Sequence, residues 1–318
     1  MLTYRDAGQS LVASGEARPR TGGRRKLDFV IAGAQKAGTS TLDDIFRKHP
    51  QIQMANYKET HFFDNEGRHW EAPDYDKLDA YFPVLDDRLR GEATPATLYW
   101  RPAIRRLREY NPHIKLIVLL RNPVERAYSH WRKEYSTGWD RMPFSEAIRA
   151  GRSRVQAEAE VEGLHRHFSY VERSFYGPQL AYLLDHFPRQ QIHCEISEEF
   201  FGDQAATLAR LASFLGIRSF PALPPVYKNS GYTFGVPALS EDDFRYLSEL
   251  FREDLAAVES FLGRSIPAWG NAVNAGRAKP QQQYRGGGRW GLVMKYLVFS
   301  LRGKWRALAK GWRRIRYL

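Results

Sequence analysis

The sequence predicts a single α/β domain, a P-loop-like doubly wound parallel sheet flanked by helices, followed by a basic amphipathic C-terminal tail. Three observations carry this. Residues Phe29–Leu42 (FVIAGAQKAGTSTL) read as strand, glycine-rich loop and helix; Lys115–Leu120 (KLIVLL) is a continuous apolar run of the kind buried on both faces; and strand and helix patterns alternate without an internal repeat. With 318 residues and 43% hydrophobic content, the chain has enough apolar material for a full core.

Residues 1–26 are polar, with Arg18, Arg20, Arg24, Arg25 and Lys26 near their end, and read as a flexible arm with no apolar run for a signal peptide or membrane helix. The predicted α/β domain then spans 27–269. Its first strand, from Phe29 to Ala32, enters a loop holding Gly33, Lys36 and Gly38 and the hydroxyls of Thr39, Ser40 and Thr41, and an apolar helical pattern begins at Leu42. Such a loop turns backbone N–H groups into one concavity, and the helix behind it adds the positive end of its dipole, so an anion belongs there. The glycines fit the nucleotide pattern GxxxxGK[ST], but Thr39 occupies the lysine position and Lys36 lies inside the loop. Lys36 can reach a phosphoryl or sulfuryl oxygen, though not with the usual triphosphate geometry.

His49-Pro50 ends the first helix, and Ile52–Ala55 reads as a short strand. Lys58–Asp64 then falls on a loop near the carboxyl end of the first strand, where reacting groups collect in open α/β sheets. Residues 66–90, rich in Asp, Tyr and Trp, read as a substrate-side insertion or surface helix, and 91–99 (GEATPATLY) as a strand-end loop. A helix over 101–112 stops at Asn111-Pro112; KLIVLL delivers Arg121 at its end, and Pro123 opens a helix that carries Ser129 two turns in. Residues 144–176 are helical and mixed in charge, and with 66–90 they are expected to form a substrate groove. A helix through QLAYLLDHF, the strand IHCEIS, a helix closed by Gly216, a loop over 219–237 and one acid-capped helix ending at Gly263 complete the domain.

Residues 270–288 read as linker and 289–318 as the tail. The net charge is +12, but 271–318 carry twelve Lys and Arg with no Asp or Glu, so residues 1–270 are balanced and no nucleic-acid partner is expected of the body. In the tail, apolar residues from Trp290 to Ile315 recur at helical spacing with basic residues on the other faces, and Gly303 and Gly311 interrupt it. This pattern suits an anionic membrane surface rather than a membrane span. Packing on the body or a partner, or on an acidic polymer, is the alternative. Cys194 is the sole cysteine, which excludes an intrachain disulfide and suits a reducing compartment. The expected location is cytoplasmic, peripheral at the inner membrane face where the tail engages it.

The string GAQKAGTST closely resembles the 5′-phosphosulfate loop of sulfotransferases that use 3′-phosphoadenosine 5′-phosphosulfate (PAPS). LLRNPVERAYSHW matches their 3′-phosphate signature, a strand-end Arg followed eight residues later by Ser. Over residues 27–269 the chain resembles carbohydrate sulfotransferases, in particular the heparan-sulfate 3-O- and N-sulfotransferase group and bacterial relatives. The resemblance implies that Lys36 contacts the leaving bridging oxygen and the sulfuryl group. It implies further that Lys36, Ala37, Gly38, Thr39, Ser40 and Thr41 line the 5′-phosphate site, and that Arg121 and Ser129 hold the 3′-phosphate. KETHFFD resembles the family's KEPHFFD run, which makes Glu59 the general base and His61 and Asp64 the residues that orient acceptor or base. No metal is implied.

Two departures qualify the acceptor. Heparan-type enzymes have EKTP or EKS where this chain has Glu92-Ala93-Thr94-Pro95, so a lysine near the reaction centre is missing and a heparan-like polyanion is disfavoured. PPVYKNSGY lacks the family's cysteine-bracketed loop, and Lys228 alone carries over, as a phosphate or sulfate contact. The expected function is sulfuryl transfer from PAPS to a hydroxyl or amine of a carbohydrate or glycolipid, releasing 3′-phosphoadenosine 5′-phosphate (PAP). The rivals are a non-catalytic glycan or membrane adaptor on the same fold and a P-loop kinase.

Overall fold

The computed structural model describes residues 25–269 apart from 85, 151–152, 163–166, 223 and 228–235. The arm before residue 25, Lys228, the linker and the tail lie outside the described residues. Five parallel strands, β1 (Phe29–Gly33), β2 (Ile52–Met54), β3 (Leu89–Ala93), β4 (Lys115–Leu120) and β5 (Ile192–Ile196), form one sheet in the order β2-β3-β1-β4-β5. The chain fills one side of β1 with β2 and β3 and the other with β4 and β5. The crevice at the carboxyl end of β1 is therefore the switch point of the sheet, where such folds bind ligands.

Helices α1 (Thr39–Phe46), α3 (Arg101–Tyr110), α4 (Pro123–Ser136), α7 (Tyr176–His186) and α9 (Gln204–Leu215) pack around this sheet, with α2 (Asp76–Asp79), α5 (Phe144–Arg149), α6 (Ser153–Glu162) and α8 (Ser197–Gly202) as shorter or connecting pieces. β1 is buried along its whole length and β4 from Leu116 onward, as their unbroken apolar runs require. Trp269 closes the domain by donating from Nε1 to Glu198 Oε2 at 3.0 Å. Among the described residues no helix is long and apolar enough to cross a membrane.

Three sequence expectations change in detail. The first helix begins at Thr39, three residues earlier than its apolar pattern, because Gly38 in left-handed backbone (φ 98°) turns the chain directly into it. The single helix expected at 240–263 is two, α10 (Glu241–Leu250) and α11 (Arg252–Leu262), with Phe251 at the joint. Leu247 and Phe251 belong to a second core cluster around Trp131 and Tyr170, whereas Val258 belongs to the main core under the sheet, and one straight helix would not face both. Residues 66–90 yield only the single turn α2 before β3 begins. Trp70 and Tyr75 pack with Phe62, Phe63 and Tyr110, and Arg106 bonds Glu66 in bidentate fashion at 2.8 and 2.7 Å. This segment braces the Glu59 loop from behind.

Packing between β1 and β3 is tight enough to forbid a side chain. A Cβ built on Gly91 would lie 2.1 Å from the Phe29 ring. Gly91→Ala is expected to cost about 3 kcal/mol through overpacking, read as a lowered midpoint in urea with an unchanged slope.

Candidate active site

The loop after β1 is fixed from outside by its carbonyls. Arg126, buried on α4, donates from Nη1 to Gln35 O at a long 3.5 Å; Arg121 Nη1 donates to Lys36 O at 3.3 Å; and Ser197 Oγ donates to Ala37 O at 2.9 Å. A trans peptide holds its N–H opposite its C=O, so the amides of Lys36 and Gly38 point to the other side of the loop. Arg126 is itself locked by Ser174 Oγ, which its Nε meets at 2.7 Å, and by the Tyr170 carbonyl. Behind the loop α1 begins without a side-chain cap, leaving its positive end to the crevice. Thr39 and Thr41 are buried and Ser40 is half-buried. A Cβ at Gly38 would sit 3.0 Å from the Phe201 ring, in addition to its left-handed φ.

Cations gather round this loop. Lys36 is pushed down to about 8, first by burial and then by the charges of Lys133, Arg132 and Arg121, with Glu134 partly offsetting them. Arg121 stands just beyond β4 and pairs with Glu125 Oε2 at 2.7 Å; Ser129 follows one turn later on α4, and Arg132 and Lys133 a turn beyond that. Arg132 Nε is buried without a hydrogen-bond partner. A cluster of mutually repelling cations with an orphaned donor fits a multiply charged anion such as a phosphate ester.

A cleft of about 160 Å³ adjoins the loop, lined by Gln35, Glu59, His61, Pro95, Ala96, Lys133, Glu134, His167 and Arg173. On one wall His61 Nδ1 is 2.8 Å from Asp64 Oδ2, and His61 Nε2 is 3.6 Å from Glu59 Oε2. Lys58 Nζ meets the other Glu59 oxygen at 2.6 Å. Burial works to raise the Glu59 pKa, but the adjacent His61 ring and the bond and charge of Lys58 outweigh it and hold the carboxyl at about 2.

On the facing wall Glu134, almost fully buried, pairs with Lys133 Nζ at 2.7 Å and His167 Nδ1 at 3.0 Å, and the His167 ring stacks on the exposed Trp139 with centroids 4.4 Å apart. Burial alone would raise the Glu134 pKa; the His130 and His167 rings beside it and the charge of Lys133 bring it far below the usual carboxylate range.

Backbone strain singles out the same residues. Among the described non-glycine residues, left-handed φ occurs at Lys36 (72°), Glu59 (60°) and His61 (48°). Each costs about 1–2 kcal/mol, a cost typical of residues held for a task rather than for stability.

Of the residues singled out in the sequence, Lys36 to Thr41 share the loop and helix start, Arg121 just beyond β4 and Ser129 on α4 flank it, and Glu59 and His61 line the cleft with Asp64 behind. Lys228 lies outside the described residues. The sequence reading missed Arg126, Arg132, Lys133, Glu134, His167 and Arg173. Spacing could have signalled Arg132 and Lys133, which stand three and four residues after Ser129 on one helix. The lining residues include His167 and Arg173 from the 144–176 stretch and none from 66–90.

Fold and site together define an α/β domain with a cation-rich loop beside a cleft lined by Glu59 and His61, and sequence comparison gives its family. The sulfotransferase domain matches residues 26–225, and the chain belongs to the sulfotransferase family. It is 30% identical over 234 residues to human heparan sulfate glucosamine 3-O-sulfotransferase 6, covering 72% of this chain and 62% of that protein. To human heparan sulfate glucosamine 3-O-sulfotransferase 3B1 it is 28% identical over 226 residues, covering 70% and 53% respectively. The chain thus spans between about half and three fifths of these curated relatives. A solved sulfotransferase from Alicyclobacillus acidocaldarius superposes with a TM-score of 0.64 at 26% identity, over 78% of this chain and all of that one (100%).

Proposed function

We propose that this chain transfers a sulfuryl group from PAPS to a hydroxyl or amine of a carbohydrate or glycolipid acceptor and releases PAP. The observation that carries this reading is the shared border between the cation-rich loop and the cleft: Gln35 and Lys133 line the same cavity as Glu59 and His61. When bound, PAPS supplies an activated sulfuryl group whose departure needs no change of oxidation state. The loop amides, the start of α1 and Lys36 would hold its 5′ end, with Arg121, Ser129 and Arg132 at the 3′-phosphate.

Lys36 neutralises charge growing on the leaving phosphate oxygen. Glu59 receives the acceptor proton, while Asp64 and Lys58 keep His61 and Glu59 in place. A carboxylate held at about 2 does not strip a neutral sugar hydroxyl in advance. It takes the proton as the new O–S bond forms and the attacking oxygen turns acidic. His167 on the facing wall, stacked on the exposed Trp139, offers an aromatic surface against which a sugar ring would pack.

Calorimetry with PAP and with ATP, followed by transfer of labelled sulfate from PAPS to saccharide and glycolipid acceptors, tests the proposal. Tighter binding of ATP than of PAP defeats it, and PAP binding without transfer leaves the non-catalytic adaptor. The Lys36 environment adds a second measurement. With its pKa at about 8, the lysine is mostly neutral at pH 8.5 in the unliganded protein, and a bound polyanion restores its charge. PAP binding at that pH should therefore be accompanied by net proton uptake, read from calorimetry in buffers of different ionisation enthalpy. The uptake should vanish in Lys36→Met, and PAP affinity should fall as pH rises above 8.

A further inference from the structure

Glu92 sits on β3 behind the cleft, 1% exposed, and no step assigned above uses it. Its Oε2 accepts two hydroxyl bonds, from Thr60 Oγ1 at 3.1 Å and from Thr94 Oγ1 at 2.7 Å. Thr60 stands between the two left-handed residues Glu59 and His61, and its Oγ1 also accepts from Phe62 N at 3.3 Å. Thr94 opens the turn that presents Pro95 and Ala96 to the cleft. The next strand residue, Ala93, accepts from Glu59 N at 3.0 Å. One buried carboxylate is thus tied to both turns that shape this wall.

We propose that Glu92 is a positioning residue: through Thr60 it holds the strained 59–61 turn that aims Glu59 at the acceptor, and through Thr94 it sets the turn that carries Pro95 and Ala96 to the same cleft. The inference rests on the reading of Glu59 as the base. A hydroxyl bond to an ionised carboxylate is stronger than one to a neutral carboxyl, so the clamp is firm only while Glu92 is charged. Burial, the largest influence, lifts Glu92 to about 7 against the two threonine bonds; of the charged groups acting on it, Asp64 raises it further and His61 lowers it. The ionised, clamped form therefore predominates above pH 7 and is lost as pH falls through that value. Glu59, held at about 2, stays ionised across this window and contributes no limb there.

The test uses the full chain with PAPS and an acceptor that it sulfates. Thr60→Val, which keeps the shape and removes the hydroxyl, should lower kcat by about 10–100-fold through misplacement of the base, with PAP affinity and KM for PAPS unchanged. Thr60→Ser should restore kcat. Wild-type kcat should fall as pH drops through about 7, whereas Glu92→Gln should be low and flat at the wild type's acid level. Because the raised Glu92 pKa disfavours the folded state above the ordinary carboxyl range, Glu92→Gln should melt no lower than wild type at pH 8, which separates lost positioning from lost folding.

Full activity in Thr60→Val, or an acid limb near pH 7 that persists in Glu92→Gln, overturns the proposal. If Thr60→Val does not fold, Thr94→Val and the Glu92→Gln profile decide. An active Glu59→Gln enzyme would instead overturn the underlying assignment of the base, a separate outcome.

Discussion

Lys36→Ala is expected to lower kcat by about 10²–10³-fold while PAP binding weakens less than about tenfold, the loss of one charge-assisted contact among several. The asymmetry follows from where charge appears. On the proposed reading the donor's phosphates would be shared in the ground state among Arg121, Ser129, Arg132 and the loop amides, so one ammonium among several donors would add little. In the transition state negative charge concentrates on one bridging oxygen, and only a group placed at that atom responds. Lys36 is placed by a left-handed backbone (φ 72°) whose carbonyl Arg121 holds at 3.3 Å.

Stability provides the control. Burial and three neighbouring cations depress the Lys36 pKa, so the unfolded chain binds more protons between about 8 and the ordinary lysine value, and the protein gains stability as pH rises through that window. Removing the ammonium should therefore leave the melting temperature of the unliganded protein unchanged or higher. A Lys36→Ala enzyme with kcat within tenfold of wild type would refute the assignment, and Lys36→Arg should rescue only in part because a planar fork does not replace a point charge.

The parts of this protein that were legible in its sequence are those in which local chemistry and tertiary position coincide. KLIVLL can only be a strand buried on both faces, and its end is where Arg121 stands. The loop from Gly33 to Thr41 advertises an anion site because glycine, lysine and hydroxyl residues have little else to do together between a strand and a helix. What stayed hidden depends on helix rotation and on partners distant in sequence. Arg126 looks like any helical arginine in RNPVERAYSHW, yet it is buried and reaches Gln35, 91 residues earlier. Glu134 reads as a surface acid beside Lys133 until His167 arrives from another segment to pair with it. Residues 66–90 looked like an acceptor groove because they are aromatic and acidic, but Trp70 and Tyr75 are core for the Glu59 loop and Glu66 serves Arg106. Aromatic content alone does not tell a sugar platform from a brace.

Glu59→Gln is expected to reduce kcat by about 10²–10⁴-fold, the range of a lost general base, with donor KM and PAP affinity unchanged. Glutamine keeps the length of the side chain and an oxygen for Lys58 Nζ, now 2.6 Å from Oε1, but cannot accept a proton. The carboxyl is 43% exposed at its side chain, so its ion pairs are screened and the substitution should hardly move the melting temperature. Its folded pKa lies below the unfolded one, so whatever stability it adds is present above the ordinary carboxyl range and disappears only as pH falls towards about 2.

The site contains a competitor for the role, because Asp64 and His61, 2.8 Å apart, form a carboxylate–imidazole pair that could itself take a proton. His61→Asn separates the two. If Glu59 is the base, losing the imidazole removes only the partner that steadies it, and kcat should fall by less than about 10²-fold, the scale of a misplaced group. A reversed order, with His61→Asn the more damaging of the two, would make His61 the base and Glu59 its support. The geometry favours the first arrangement: His61 is 2.8 Å from buried Asp64 but 3.6 Å from Glu59, whose side chain is the more exposed of the two.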